Sequence, residues 1–157
     1  MRPLMLSLAT TMMLLVSAPA IADDRAVVEA LYTDLLSNPK GDDLDARVGA
    51  VVAEDWVSTP KPRGGPDAAG MTKTLAGFGI AIADLNWQIQ EILQDDNRYV
   101  VRSIATGAPV KPVFGVEPKG NSFEIMTIDI HMVENGRLTR SYHVEEWLTA
   151  VQQLQAE

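Results

Sequence analysis

The chain has 157 residues, of which 46% are apolar and 22% charged, and this composition is typical of one globular domain. Its 21 acidic and 13 basic side chains give a formal charge of −8, which argues against a nucleic-acid partner because it repels phosphate backbones. The absence of cysteine excludes disulfides, thiol nucleophiles and cysteine-based metal sites, and two histidines are too few for a histidine-rich metal centre.

The first 22 residues have the pattern of an export signal. Arg2 precedes an apolar run over residues 4–16, and small residues follow up to Ala22. The run is shorter than the about 20 residues that a bilayer span needs. We therefore expect cleavage after Ala22, a periplasmic or secreted protein without a membrane anchor, and a single domain over residues 23–157.

The following segment predicts three helices and one short strand. Apolar residues at helical spacing predict a helix over residues 27–36, which ends before Pro39. Asp42 caps a second helix with an apolar stripe over residues 44–52, and we prefer this cap to a cation site at the neighbouring carboxylates. Residues 55–59 predict a strand, residues 60–66 a loop rich in proline and glycine, and residues 67–83 a third helix.

From residue 85 onward the apolar period changes to two, which predicts strands. Residues 85–91 and 99–104 form one predicted hairpin, and residues 123–133 and 137–145 form a second one around Asn135-Gly136. Residues 147–155 form a last helix. Helices followed by adjacent antiparallel strands indicate an α+β fold, in which a curved sheet and its helices enclose an apolar cavity.

The second hairpin concentrates the residues with acid/base chemistry. On its first strand Asp129 and His131 share a face with Thr127, and the opposite face is apolar. Alternation alone does not say which face looks inward, so Asp129 is either a pocket residue or an ordinary solvent-facing one. Each histidine is a candidate proton shuttle or orienting group, or a hydrogen-bonded structural residue.

On the second strand His143 and Glu146 lie on opposite faces, so both point into one cavity only if a bulge intervenes. We predict Glu146 as the acid/base carboxylate, with a pKa raised by desolvation under an aromatic roof. The alternative is that Glu145 and Glu146 only begin the last helix, where negative charge is favourable. The predicted roof consists of Tyr142, Trp147 and Trp56.

No other motif indicates a cofactor or a covalent mechanism. The serines lie outside any Gly-x-Ser-x-Gly turn, and neither Gly64-Gly65 nor the segment 115–120 has the features of a phosphate-binding loop. We therefore expect neither a nucleotide cofactor nor a covalent serine mechanism.

Six segments, taken in order, carry a resemblance to a known family. They are Ala83-Asp84-Leu85, Val100-Val101-Arg102, residues 114–120, Asp129-Ile130, Asn135-Gly136-Arg137-Leu138 and Tyr142-His143-Val144-Glu145-Glu146-Trp147-Leu148. Over residues 23–154 the chain resembles the SnoaL-like polyketide cyclase, or ester cyclase, group of the nuclear transport factor 2-like (NTF2-like) superfamily.

The resemblance implies an NTF2-like cone with a buried pocket for a hydrophobic or polycyclic small molecule, often in a homodimer or higher oligomer. It also implies catalysis without metal or organic cofactor, in which a pocket carboxylate assists an intramolecular aldol closure. Glu146 stands where the family usually has aspartate, and Pro109 stands where members often have histidine.

Two functions and one structural role follow as hypotheses. In the first, an exported cyclase or isomerase uses Glu146 to move a proton next to a carbonyl, while His131 or His143 stabilises the enolate. In the second, a non-catalytic module binds a lipid-like or aromatic molecule in the same cavity. The third is a dimer-forming structural domain whose cavity is filled by side chains.

Overall fold

The computed structural model describes residues 24–62 and 64–157, so the predicted export signal lies outside the described residues. None of the helices in these two ranges is long and apolar enough to span a membrane. The elements, in chain order, are α1 Asp24–Ala30, a π-helical turn Leu31–Leu36, α2 Leu44–Val51, β1 Val52–Thr59, α3 Ala68–Ala81, β2 Asn86–Asp95, β3 Arg98–Gly107, β4 Phe123–Glu134, β5 Arg137–Glu145 and α4 Trp147–Gln155.

The helices agree with the sequence pattern except at their ends. The first predicted helix continues as a π-helical turn, within which Tyr32 and Leu35 are fully buried. The expectation that Val52 belongs to the stripe of α2 is wrong, because Val52 already pairs with Leu138 of β5. Helix α3 begins after Asp67, whose side chain caps it by accepting a hydrogen bond from the Gly70 N–H.

The five strands form one open sheet in the order β1-β5-β4-β3-β2. All neighbouring pairs are antiparallel except β1 and β5, which are parallel. In the β4–β5 turn, Asn135 and Gly136 have φ values of 54° and 70°, the left-handed conformation that the Asn-Gly pair predicts. The α+β fold class with a curved sheet and covering helices is thus confirmed.

One face of the sheet carries a group of buried and half-buried polar side chains. Burial alternates with a period of two along β3 and β4, so every second residue faces the helices. The inner face is apolar at its ends and polar in the middle. We call the polar group the polar strip; it consists of Ser58, Ser103, Thr127, Asp129, His131, Ser141, His143 and Glu145. The structure thereby answers the question that alternation left open, since Asp129 and His131 point inward.

Candidate functional site

The polar strip forms because two strands with matching polar residues pair in register. Asp129 of β4 lies opposite His143 of β5, and Thr127 lies opposite Glu145. The pairing is regular here; the only irregularity between the two described strands lies at Met132/Val133, nearer the turn. Because paired residues project to the same side, the inward-facing polar residues of both strands meet.

Asp129 is the centre of the strip. Its side chain is almost fully buried, and its Oδ2 accepts a 2.7 Å hydrogen bond from the Tyr32 hydroxyl. The Thr127 hydroxyl lies at 3.4 Å from the same oxygen, and Ser103 is bonded to Thr127 in turn. Oδ1 lies 3.1 Å from Nδ1 of His143. Asp129 thus accepts from two hydroxyls on one oxygen and fixes the imidazole of His143 with the other.

The hydrogen bonds of His131 identify it as a neutral imidazole. The Tyr32 hydroxyl uses its proton on Asp129, so at 3.0 Å it accepts from Nε2–H of His131. Nδ1 of His131 then accepts from the Ser141 hydroxyl at 2.8 Å, and Ser141 accepts from the Trp56 indole N–H at 3.0 Å. Burial lowers the pKa of His131 to about 4, against an opposing effect of the Asp129 charge. Every donor and acceptor in this series of hydrogen bonds is therefore satisfied when His131 is uncharged.

His143 has the opposite tendency. Its Nε2 lies 2.7 Å from the hydroxyl of Ser58, which itself donates to the Pro60 carbonyl at 3.0 Å. With that hydroxyl proton committed, both ring nitrogens of His143 donate, as in an imidazolium. Burial lowers the pKa of His143, but the hydrogen bond and charge of Asp129 and the charge of Glu145 outweigh it, so its pKa is raised.

Glu145 completes a cluster with His143 and Asp129. One ligand-type atom from each of the three side chains lies within 4.8 Å of the others. Burial raises the pKa of Glu145, while a 2.5 Å hydrogen bond from the Trp147 indole N–H and the neighbouring His143 oppose the rise. Glu145 and His143 thus form a neighbouring carboxyl–imidazole pair of the kind that general acid/base catalysis uses.

A cavity of about 620 Å³ opens onto this cluster. This volume lies in the range of pockets that hold small organic molecules. His143 and Glu145 form part of its wall, whereas Asp129 lies behind His143. Most of the wall is apolar, and its aromatic members are Trp56, Phe78, Trp87, Phe114 and Trp147.

Trp147 is the centre of the aromatic wall. Its ring stacks on Phe78 at a centroid distance of 5.7 Å and contacts Phe114 at 5.0 Å. Trp87 and Phe123 approach it edge-on at 6.2 Å and 5.7 Å. These contacts fix the indole N–H that holds Glu145, so the apolar wall also positions the carboxylate.

Comparisons with known proteins agree with this architecture. The model of the family described as SnoaL-like polyketide cyclase matches residues 26–154. The chain belongs to this family. Among curated proteins, no sequence relative matches at a significant level.

Solved structures of the SnoaL-like group share the fold at low identity. IdmH from Streptomyces antibioticus, named as a polyketide cyclase, is 21% identical with a TM-score of 0.72 over 85% of this chain and 99% of its own. A protein of Jannaschia Sp. CCS1, named as a SnoaL-like polyketide cyclase, is 13% identical, with a TM-score of 0.71 over 89% of this chain and 96% of its own. AclR from Streptomyces galilaeus, named as a hydroxylase, is 18% identical, with a TM-score of 0.69 over 86% of this chain and 97% of its own. At these identities the likeness concerns the fold.

Two residues predicted for the pocket lie elsewhere. The expectation that Glu146 faces the cavity is wrong. Glu146 lies directly before α4 and is exposed, and its carboxylate accepts a hydrogen bond from the N–H of Met126 in β4. The β4–β5 pairing has no bulge at this end, so Glu146 stays on the outer side. Tyr142 also lies on the outer face with 42% exposure, so it is not part of the aromatic roof.

The other predicted residues come together as one unit. His143, Trp147 and Trp56 line the cavity, while Asp129 and His131 lie behind the wall in the polar strip. The sequence reading ranked Glu145 below Glu146, although alternation already placed Glu145 on the face of His143. Among the residues that they contact, Tyr32, Ser58 and Ser141 were not predicted for the site.

The cluster of Asp129, His143 and Glu145 also has the residue types of a metal site. Both ring nitrogens of His143 are, however, engaged by Asp129 and Ser58. A cation would have to replace one of these hydrogen bonds. Hydrogen bonding alone therefore accounts for the geometry of the cluster.

Proposed function

We propose that this SnoaL-like protein is a cyclase or isomerase that moves a proton on a hydrophobic, carbonyl-containing small molecule. One observation carries the proposal: an acid/base pair, His143 and Glu145, faces an apolar cavity of ligand size, and the buried Asp129 holds the histidine from behind. The family's cyclase name supports the reaction class.

In the proposed reaction Glu145 removes a proton from the carbon next to the carbonyl. The C–H electron pair becomes the C=C bond of an enolate, and the carbonyl oxygen takes the negative charge. His143 then exchanges its bond to Ser58 for one to this oxygen and stabilises it, while Asp129 stabilises the imidazolium. The proton returns to another atom of the same molecule, so no cofactor is consumed.

The cavity wall supports the choice of substrate class. Five aromatic side chains and several aliphatic ones favour an apolar, ring-containing body over a sugar or a nucleotide. The same wall shields the reacting atoms from water, which strengthens the electrostatic effect of the polar strip. IdmH, which is named as a polyketide cyclase, shares the fold of this chain, and a substrate of this class is consistent with that fold.

The test uses a native small-molecule extract in D₂O, because the substrate is unidentified. The extract is incubated separately with the protein, with Glu145→Gln and with Glu146→Gln. These two adjacent carboxylates form a matched pair, since the first faces the cavity and the second faces solvent. Mass spectrometry then finds molecules that gain deuterium or change structure.

We expect at least one apolar carbonyl compound to change with the wild type and with Glu146→Gln, but not with Glu145→Gln. Equal turnover by wild type and Glu145→Gln would overturn the assignment of the base. Retention of a compound without any chemical change would overturn catalysis and favour the binding module, which thermal stabilisation by that compound would then confirm.

We propose also that the chain is exported and that residues 1–22 are removed on the way. Arg2, the apolar run and the small residues before Asp23 support this assignment. Fractionation of the source cells, followed by intact-mass measurement, checks it. We expect the protein in the periplasm or medium with Asp23 as its first residue; an intact chain in the cytosol would contradict export.

Self-association, expected from the resemblance, is proposed at the outer face of the sheet. Ile128 and Val144 are a directly opposed pair on β4 and β5, 39% and 72% exposed, and Met126 and Tyr142 lie beside them. A patch of this kind on two adjacent strands is self-complementary across a twofold axis. Sedimentation should give a dimer for the wild type and a monomer for Val144→Lys; a monomeric wild type would contradict the proposal.

A further inference from the structure

Two positive charges lie in the solvent-exposed part of the cavity wall, which we call the mouth. Lys61 lies in the loop after β1, Lys73 lies on α3, and both contribute to the wall of the same cavity. The whole chain has an excess of acidic residues, yet within the described part of the chain the charged wall residues are two lysines, His143 and one carboxylate, Glu145. The mouth is therefore locally positive on an acidic protein.

Neither lysine is neutralised by its surroundings. Between the described residues, the side chains of Lys61 and Lys73 have no hydrogen bond or ion pair. Two acidic residues of the neighbouring segments are engaged by neutral donors and not by a lysine. Asp45 accepts a hydrogen bond from Thr72, and Asp67 accepts one from the N–H of Gly70.

The local backbone holds the two lysines at one opening. The Gly64 N–H donates to the Thr74 hydroxyl, which attaches the loop to α3. A Cβ at Gly64 would lie 2.1 Å from the Gly70 carbonyl oxygen and 3.0 Å from Cβ of Lys73, so only glycine permits this close contact. Lys61 therefore lies on a loop that is packed directly against the helix bearing Lys73.

The same loop connects the mouth to the catalytic cluster. Lys61 follows Pro60, whose carbonyl accepts the hydroxyl proton of Ser58, and Ser58 contacts His143. Cations, aromatic rings and the acid/base pair thus belong to the wall of one cavity.

We propose that the ligand is an amphipathic anion: an apolar ring system that fills the cavity and carries a carboxylate or similar acidic group bound between Lys61 and Lys73. This inference rests on the proposed function and narrows its substrate class. The anionic group would orient the molecule so that its carbonyl reaches His143 and Glu145, as a remote binding group does in many enzymes.

Two fluorescent probes with one skeleton test the proposal. Anilinonaphthalene sulfonate carries an acidic group, and phenylnaphthylamine is the same aromatic body without it. Because each exposed ion pair contributes about 0.2–1 kcal/mol, we expect the sulfonate to bind the wild type about tenfold more tightly than the neutral probe. Added salt should weaken the binding of the sulfonate alone.

The variants separate the charges from the cavity. Lys61→Gln with Lys73→Gln should weaken sulfonate binding about tenfold and leave phenylnaphthylamine within about twofold. Lys119→Gln, an exposed lysine outside the cavity wall, is the control and should change neither. Gly77→Leu should weaken both probes, because Gly77 lines the cavity and an added Cβ there meets no atom within 4 Å.

The outcomes distinguish this inference from the proposed function. If both probes bind the wild type equally, or if the double variant keeps full sulfonate affinity, the anion site is rejected while the cavity and its catalytic cluster stand. If neither probe binds the wild type, or if Gly77→Leu leaves both unchanged, the cavity does not accept an aromatic body, and both proposals fail.

Discussion

The two histidines lie on the same face of one hairpin, yet they differ in almost every physical property. His131 is fully buried, and its pKa is lowered to about 4. The side chain of His143 is 21% exposed, and its pKa is raised. Both are linked to Asp129, His131 through the Tyr32 hydroxyl and His143 by direct contact.

The difference shows what makes a histidine reactive in this fold. Burial acts on both imidazoles in the same direction, against the charged form. A direct bond to a carboxylate reverses the effect at His143, whereas at His131 a hydroxyl stands between ring and carboxylate. Only His143 reaches the cavity. We therefore propose that His131 positions Asp129 and that His143 is the catalytic histidine.

Replacing each histidine by glutamine tests this contrast most strongly. His143→Gln should lower kcat/KM by about 100- to 10,000-fold, the usual contribution of a general acid or base, with a modest loss of stability. His131→Gln should act on the rate only through the position of Asp129, and its larger effect should be on the free energy of unfolding. Kinetics and urea denaturation on both variants give the comparison. Equal rate losses would contradict the division of roles.

The next effect concerns the pH dependence of stability. The pKa of His131 is 6.5 in the unfolded state and about 4 in the folded state, so the unfolded state binds more protons between these two pH values. The free energy of unfolding therefore falls on acidification from pH 6.5 to 4, by at most about 1.4 kcal/mol per pH unit and about 3 kcal/mol in total. Above pH 6.5 His131 is uncharged in both states, so its titration does not change the free energy of unfolding.

Other groups titrate in or near the same window, so the measurement is a difference. The raised pKa of Glu145 adds stability as the pH falls, and the raised pKa of His143 gives stability that is lost as the pH rises above 6.5. Subtracting the curve of His131→Gln from that of the wild type removes both effects. The difference should be flat above pH 7 and shrink towards pH 4. Parallel curves would show that His131 does not titrate as a buried neutral group.

Tyr32→Phe should have a smaller effect. It removes one donor from Asp129 and leaves the Nε2–H of His131 without its acceptor, both in the buried interior. We expect a loss of about 2 kcal/mol in the free energy of unfolding, measured by urea denaturation. Tyr142→Phe is the matched control when both variants also carry Val144→Lys, which keeps the chain monomeric. That hydroxyl lies on the exposed outer face, so the change should alter stability by less than about 0.5 kcal/mol. Equal losses would contradict the bridging role of Tyr32.

The sequence predicted the local parts of this design and missed the long-range ones. Alternation correctly grouped Asp129 with His131 and His143 with Glu145, because the period of a strand is a local property. It is symmetric between the two faces, so it could not say that the polar face is the buried one. The interpretation of Glu146 failed at this point, since the choice of carboxylate depended on which face looks inward.

Two contacts that complete the polar strip come from distant segments. Tyr32 lies 97 residues before Asp129, and Ser58 reaches His143 because β1 pairs in parallel with β5. A lone tyrosine on a helix and a serine on a short strand carry no local sign of such a contact. Packing of the helices and of an edge strand onto the sheet decides it, and the pattern of a single segment does not contain that information.

Trp147→Phe should give the smallest effect, and it probes the carboxylate half of the pair. Phenylalanine keeps a ring against Phe78 but loses the N–H that lowers the pKa of Glu145. A lost hydrogen bond of about 1 kcal/mol corresponds to about 0.7 unit in the pKa of Glu145. The acidic limb of kcat/KM against pH should therefore move to higher pH by that amount. Phe78→Leu keeps the N–H and the contacts of Trp147 with Trp87, Phe114 and Phe123, so it should move the limb by clearly less. A limb that moves equally in both variants would show that ring packing, and not the hydrogen bond, tunes Glu145.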